Sequence, residues 1–319
     1  MLSPTEELKV FSGRSNPALT DEICNYLEIR PGRAHAETFP DGELFVKLHE
    51  DVRGRDVYVV QSTCRPVNDN LIELLVFIDC LRRASARRVT AVLPYFGYAR
   101  QDRKEEGRVP ITAKLVCNLI TQAGANRVLA MDLHAAQIQG FFDIPLDHLQ
   151  AEPAFSKHFR SLGPERLTLV SPDVGNVKRA RAYAEKMGCE LAIIDKRRTS
   201  GSTAVVHTII GNVEGRDVLM IDDMIATAGT LCEAARIVKE KGARSVRGAA
   251  THAVFAGPAF DRLEQTPFTE IAVTSTIPVT NEARERLPNL SVLSVADILG
   301  EAIARIHKNQ SVSSLFTSS

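Results

Sequence analysis

Short apolar runs recur along the chain, each followed by a stretch with helical spacing, and this alternation limits the folds open to it. Residues 57–60, 89–93, 128–131 and 167–170 read as buried strands, as do 191–194, 218–221, 246–250 and 271–273. Their near-continuous apolar character suits a parallel sheet covered on both faces better than a sheet with one wet side. Helical stretches lie between them at 70–84, 112–123, 175–187, 230–241 and 295–307, the last with Leu299, Ile303 and Ile306 on one face. The rhythm predicts an α/β fold with mainly parallel sheets flanked by helices.

An internal repeat divides that fold. Gly54-Arg55-Asp56-Val57 recurs as Gly215-Arg216-Asp217-Val218, each copy opening an apolar strand. Each copy then has a helical stretch, an Ala-Arg-x-Val (86–89 and 243–246) and another strand. Either match alone is weak, but the shared order and spacing favour duplication. The expectation is two similar domains, 1–150 and 151–319, for which 319 residues are sufficient. The polar stretch Gly163-Pro164-Glu165 is the other boundary candidate.

Lys and Arg total 39 against 39 Asp and Glu, a balance that argues against binding nucleic acid or anionic membrane through bulk charge. No apolar run approaches the roughly 18 residues of a membrane span, and the first ten residues lack the apolar core of a signal peptide. The six cysteines show no C-x-x-C pair and mostly sit in apolar stretches, which fits reduced thiols in a cytoplasmic protein.

Two segments stand out chemically. Residues 100–110 hold seven charged residues and no hydrophobic one before Val109. Charge clusters are usually solvated turns; the functional reading is a mobile lid carrying cations to a polyphosphate. The stronger signal is 218–230, where an apolar strand ends in Asp222 and Asp223 and the turn Ala226-Thr227-Ala228-Gly229-Thr230 opens a helix. Backbone N–H groups at a helix N-terminus suit a phosphate, the two threonines add hydroxyl donors, and adjacent carboxylates accept from sugar hydroxyls or hold Mg²⁺ through water. An isolated match of this kind is most often an ordinary capped helix. Its placement between strand and helix favours a sugar-phosphate site.

That segment resembles the phosphoribosyl-binding loop shared by phosphoribosyltransferases and ribose-phosphate pyrophosphokinases. Other stretches select the second group: Phe39-Pro40-Asp41-Gly42-Glu43, residues 95–103 (YFGYARQDR), Asp132-Leu133-His134-Ala135, residues 137–145 (QIQGFFDIP), Ser171-Pro172-Asp173 and Ile194-Asp195-Lys196-Arg197-Arg198. They keep the family's order over nearly the whole chain and end in Ser311-Val312-Ser313. The chain is identified as similar to the phosphate-dependent class I ribose-phosphate pyrophosphokinases. This resemblance implies two phosphoribosyltransferase-like domains. The first carries ATP-site motifs and the mobile loop 100–110, and the second carries the ribose 5-phosphate loop 222–230. The C-terminal segment would pack back on the first domain.

By resemblance, Lys196 is the catalytic lysine, and Arg198 binds ribose 5-phosphate and the transferred group. Both fall just beyond the strand 191–194, where alternate side chains can share a face. Alone, a K-R-R triplet is more often a solvated turn. Phe39, Asp41, Gly42, Glu43, Arg100 and Gln101 would bind ATP, Phe39 by stacking on adenine, although a lone phenylalanine is more often core. Asp222, Asp223, Ala226, Thr227, Ala228, Gly229 and Thr230 would bind ribose 5-phosphate. His134 and Asp173 would lie at Mg²⁺ sites, with Asp173 the better direct contact because the ion favours oxygen. The resemblance further implies inorganic phosphate as activator, ADP inhibition and a homo-oligomer, typically a hexamer.

Three departures from the family are visible. Ala226 stands where a third acid is common. The loop is shorter and less basic than in bacterial members, with Glu105 and Glu106 opposing closure unless they face solvent. Val174-Gly175-Asn176 replaces a segment ending in two glycines, where Asn tolerates a left-handed backbone. A non-catalytic regulatory homologue is therefore the alternative to an active enzyme. An ordinary phosphoribosyltransferase is disfavoured by the duplication and the ATP-site motifs.

Overall fold

The computed structural model describes residues 8–198 and 205–313, with side chains described for 8–195 and 208–313. Every apolar run predicted as a strand is one. The chain divides into two compact units: Met1–Gln150 with Thr276–Pro278 and Ser294–Ser319, and Ala151–Ser275 with Val279–Leu293.

The first unit begins β1 (Leu8–Ser12), α1 (Pro17–Tyr26), β2 (Ala34–Thr38), β3 (Leu44–Leu48), β4 (Asp56–Val60) and α2 (Val67–Arg83). It continues with β5 (Arg88–Leu93), α3 (Thr112–Ala123), β6 (Arg127–Met131) and β7 (Leu146–Leu149). Its five-stranded sheet runs β1-β4-β5-β6-β7, all parallel. Along α2, Leu71, Leu74, Phe77, Ile78 and Leu81 recur at three- and four-residue spacing and are buried, the stripe that seats a helix on a sheet. The antiparallel pair β2–β3 is a separate hairpin that packs on α2 through Val46.

The second unit comprises α4 (Glu152–Phe159), β8 (Leu167–Ser171), α5 (Val177–Met187), β9 (Glu190–Arg198), β10 (Val205–Ile210), β11 (Asp217–Ile225) and α6 (Gly229–Glu240). After these come β12 (Ser245–Ala253), α7 (Ala259–Glu264), β13 (Glu270–Thr274), α8 (Asn281–Arg286) and β14 (Leu290–Leu293). Its sheet runs β10-β9-β8-β11-β12-β13-β14, parallel except for the β9–β10 pair. The helix α9 (Ala296–His307) belongs to the first unit, where it packs on α1. No helix among the described residues is long and apolar enough to cross a membrane.

The repeat is structural. Gly54 and Gly215 have φ of +70° and +68°, a turn that side chains resist. Arg87 N donates to Arg55 O and Arg244 N to Arg216 O, both at 2.8 Å. Each copy's aspartate is buried where its strand starts, against an arginine from the start of the next strand or just before it. Asp56 accepts from Arg88 Nε (2.7 Å) and Nη2 (2.5 Å), and Asp217 accepts from Arg244 Nε (2.9 Å) and Ser245 Oγ (2.5 Å). Asp56 also meets His307 Nδ1 at 2.8 Å, and Arg88 donates to Ile306 O, so the end of α9 is tied to this pair.

Burial alone would raise the Asp56 carboxyl, but hydrogen bonds from His307 and Arg88 outweigh it and hold the group below the usual carboxylate range. Its contribution is therefore present above the unfolded value near 4 and lost as pH falls through the folded one. Breaking such a pair by removing one partner costs about 3–5 kcal/mol. Asp56→Asn should lower the melting temperature at pH 7 more than Asp217→Asn, whose partner Arg244 is more exposed. The deficit should shrink below pH 4. Hydrogen exchange should quicken in α9 for Asp56→Asn alone; equal exchange in both variants would remove α9 from the account.

Candidate functional site

In the second unit, β11 delivers Asp222 and Asp223 near the C-terminal end of a central strand, the edge where parallel α/β sheets bind ligands. Past Ile225 the chain stays pinned from behind: Phe255 N donates to Ile225 O and Ala256 N to Ala226 O, both at 2.9 Å. Ala228 is then forced to φ +59° as the N-cap of α6, a left-handed conformation that costs a non-glycine residue free energy. No side chain caps α6 and no acid stands in its first turn. Thr227 and Thr230 are exposed there. Arg262 of α7 holds the turn in shape by donating to Thr227 O at 2.9 Å. The positive end of α6 thus faces outward, an arrangement suited to an anion.

The two acids differ. Asp223 is buried, whereas Asp222 keeps 37% of its side chain exposed and accepts from Asp223 N at 2.8 Å. Desolvation by the protein packed around its base, then the hydrogen bond and like charge of Asp223, push the Asp222 carboxyl up to about 7 although its edge reaches solvent; Arg179 opposes the shift. Arg179, on α5, reaches Asp223 at 3.3 Å and Asp222 at 3.6 Å. Nothing in a single basic residue between Lys178 and Arg181 marks it as their counter-ion, so sequence reasoning missed it.

Asp173 lies beyond β8, the neighbour of β11, and its Oδ1 accepts from Asn176 N at 2.9 Å. Asn176 donates in turn to Ile221 O at 3.0 Å, directly behind the acid pair. Its φ is −94°, so the expected use of a left-handed backbone does not arise: Val174–Asn176 forms a 3-10 turn in ordinary conformations. Lys196 and Arg198 are not beyond the strand as expected. Antiparallel pairing with β10 extends β9 through Arg198, opposing Lys196 to His207 and Arg198 to Val205. Their side chains lie outside the described residues.

In the first unit, Arg100 and Gln101 follow β5, and His134 follows the adjacent β6, so this sheet's C-terminal edge carries them. Gln101 is engaged at the base of the loop: its O accepts from Ala113 N, and its Oε1 accepts from Thr112 Oγ1 at 2.5 Å. Glu105 and Glu106 are exposed, and Glu105 meets Arg103 at 3.4 Å. Phe39, Asp41, Gly42 and Glu43 stand elsewhere, in the exposed β2–β3 turn. Phe39 N donates to Glu43 O and Gly42 N to Phe39 O, both at 2.8 Å, with Gly42 at φ +93°. Arg14, also missed by sequence reasoning, ties this hairpin to the body. Its Nε meets the buried Glu73 at 2.5 Å, and its Nη2 donates to Thr38 Oγ1 at 3.1 Å.

No group of three or more His, Cys, Asp or Glu side chains stands together among the described residues. The described residues therefore supply no full cage for a cation. Isolated oxygens such as those of Asp173 fit Mg²⁺ held chiefly by substrate phosphates and water.

Fold and site define an α/β protein built on two mainly parallel sheets, with an acid pair on β11 leading into a helix whose first turn carries no cap and no acid. Residues 8–124 match the N-terminal domain of ribose phosphate pyrophosphokinase, and residues 204–317 match the phosphoribosyl synthetase-associated domain. The ribose-phosphate pyrophosphokinase of Rhodopirellula baltica is 60% identical over 313 residues, 97% of this chain and 98% of that protein. The enzyme of the same name from Synechococcus elongatus is 56% identical, over 99% of this chain and 95% of its own. The crystal structure of phosphoribosylpyrophosphate synthetase from Mycobacterium smegmatis is similar with a TM-score of 0.87 and 41% identity, covering 95% of this chain and 99% of that one. The chain belongs to the ribose-phosphate pyrophosphokinase family of enzymes.

Because the folded Asp222 carboxyl titrates above its unfolded value, folding favours its protonated form, and that benefit is lost as pH rises from about 4 toward 7. Asp222→Asn should therefore leave the melting temperature unchanged near pH 4 and raise it above pH 7. An offset that is constant across this range in calorimetry would contradict the assignment.

Proposed function

We propose that the chain transfers the β,γ-diphosphoryl group of Mg-ATP to the C1 hydroxyl of ribose 5-phosphate, giving 5-phospho-α-D-ribose 1-diphosphate and AMP for nucleotide biosynthesis in the cytoplasm. The observation that carries this reading is the loop 222–230: an acid pair, a strained Ala228, and a helix whose first turn holds neither a capping side chain nor an acid. The names of its close relatives support the same chemistry. The C-terminal half would hold the sugar phosphate, with the 5-phosphate on the Ala226–Thr230 turn and the acid pair accepting from ribose hydroxyls. The N-terminal half would hold ATP through Phe39, Asp41, Gly42, Glu43, Arg100 and Gln101.

In the reaction the C1 oxygen attacks the β-phosphorus, the bond from that phosphorus to the α–β bridging oxygen breaks, AMP leaves, and the hydroxyl proton passes to solvent. Charge spreads over phosphate oxygens in the transition state, so catalysis consists chiefly of positioning and positive charge. Lys196 supplies that charge as the catalytic lysine, and Arg198 grips the sugar phosphate and the transferred group. Mg²⁺, when bound, neutralises phosphate charge; Asp173 and His134 would hold it.

Inorganic phosphate is the proposed activator, and the assembly a homo-oligomer, by resemblance a hexamer. The exposed row Ile111, Leu115 and Leu119, at four-residue spacing, supports assembly. The second reading, a non-catalytic regulatory homologue, is favoured only by Ala226 and the acidic loop. Both are compatible with activity, since an alanine at 226 leaves the backbone N–H groups of the turn in place and Glu105 and Glu106 are exposed.

Purified protein with Mg²⁺, phosphate, ATP and ribose 5-phosphate should yield AMP and the diphosphate product in equal amounts. Folded protein that binds both substrates yet forms neither would establish the regulatory reading. Lys196→Ala should lose far more turnover than substrate binding; equal losses would argue against a transition-state role. Ala226→Asp should move the KM for ribose 5-phosphate more than that for ATP. If neither moves, position 226 does not tune the site.

A further inference from the structure

Phe45 lies two residues past the turn that carries Phe39, Asp41, Gly42 and Glu43, and outside the motif Phe39-Pro40-Asp41-Gly42-Glu43. The hairpin register opposes Glu37 to Phe45 and Thr38 to Leu44. Strand alternation then sorts the side chains. Ala36, Val46 and Leu48 pack on the core of the first unit, while Phe45 and Phe39 share the outward face. There the two rings stack, with centroids 5.6 Å apart and planes at 27°. Yet Phe39 is still 40% exposed and Phe45 39%. Each ring covers part of the other, and the pair leaves a substantial apolar surface in water.

The frame beneath the pair is built. The turn is closed by Phe39 N to Glu43 O, by Gly42 N to Phe39 O, and by Glu43 N to Asp41 Oδ1 at 3.1 Å. A Cβ at Gly42 would meet nothing, so glycine serves the left-handed φ of +93° rather than space. Thr38, immediately before Phe39, is held by Arg14, whose guanidinium is fixed by the buried carboxylate of Glu73. An exposed aromatic pair on a fixed turn has the properties of a stacking platform: flat, polarisable and ordered before anything binds.

We infer that Phe45 is part of the nucleobase-recognition surface, its ring backing Phe39 so that the purine of ATP stacks on a two-ring platform. This rests on the ATP-binding reading of Phe39 given above and adds a residue to it. Phe45 acts through Phe39 and is a positioning and specificity residue, with no part in the transfer step. The platform should favour large bases over small ones, since stacking grows with overlapping ring area.

An aromatic layer of this kind is worth about three- to tenfold in affinity. Phe45→Leu keeps the bulk and removes the ring on a face that the core does not use. It should raise the ATP KM about three- to tenfold and narrow the preference for ATP over CTP. The KM for ribose 5-phosphate, kcat and sedimentation should stay at wild-type values. Phe45→Tyr, which keeps the ring, should restore the ATP KM. An unchanged ATP KM in Phe45→Leu, a parallel rise in both KM values, a failed rescue by Phe45→Tyr, or a changed assembly mass (Phe45 then being a contact between copies) would each overturn the inference.

A binding readout separates this inference from the catalytic reading. The chain has no tryptophan, so F39W introduces a single indole at the platform, excited to the red of the tyrosines. ATP should quench it, and adding Phe45→Leu should shift the titration midpoint by about three- to tenfold. Quenching that shifts in this way upholds the platform even if no AMP forms, in which case only the proposed reaction falls. Turnover by the wild type with no quenching in F39W overturns the platform and leaves the reaction standing.

Discussion

Each half of this chain is organised by a buried aspartate at the start of an inner strand, bonded to an arginine at the next strand's start or just before it. A carboxylate there cannot stay ionised without its partner, so the pair locks β4 to β5 and β11 to β12 in a single register. A one-residue slip would strand both charges as well as invert every side chain. With that end pinned, the opposite ends of the strands are free to vary. The chemistry-bearing side chains lie toward those ends: Asp222 and Asp223 on β11, Asp173 after β8, Arg100 after β5 and His134 after β6.

What was legible in the sequence follows from burial. Strands covered on both faces, such as β4, β5, β11 and β12, read as continuous apolar runs, and helices such as α2 carry the matching stripe. The strands without that signal escaped. β2 (Ala-His-Ala-Glu-Thr) is largely exposed, and β7 and β14 are four-residue edge strands of intermediate burial. β9 runs past its apolar stretch because Asp195 to Arg198, which look like a turn in sequence, become strand through the antiparallel partner β10. The helix α1 escaped too, although Asn16 caps it and Pro17 opens it, a signal that was available.

The candidate site was legible where one segment carries its geometry whole, as 222–230 does. It was illegible where the arrangement depends on partners distant in sequence. Arg179 reaches Asp222 and Asp223 from α5, and Arg14 joins Glu73 to Thr38; no spacing rule connects these positions. Phe45 was more accessible. Glu37, Phe39 and Phe45 fall on one face once the hairpin is recognised, but β2 has too little apolar content to reveal a hairpin at all.

The duplication also sets the two corresponding loops apart. In the second unit the turn after β11 is made of small residues, and the first turn of α6 carries no acid. Its positive end is left for an external anion. The corresponding turn after β4 is filled from within. Gln61, fully buried, accepts from Ser15 Oγ at 2.8 Å and donates to Asn70 O, and a Cβ on Gly13 would collide with it. The helix α2 carries Asp69 in its first turn, a carboxylate already placed at its positive end. Glu73, one turn further along, is neutralised by Arg14, which carries that order outward to the hairpin. The same frame thus yields opposite outcomes: polar side chains turned inward stiffen one half, and their absence from the other leaves backbone donors for a ligand.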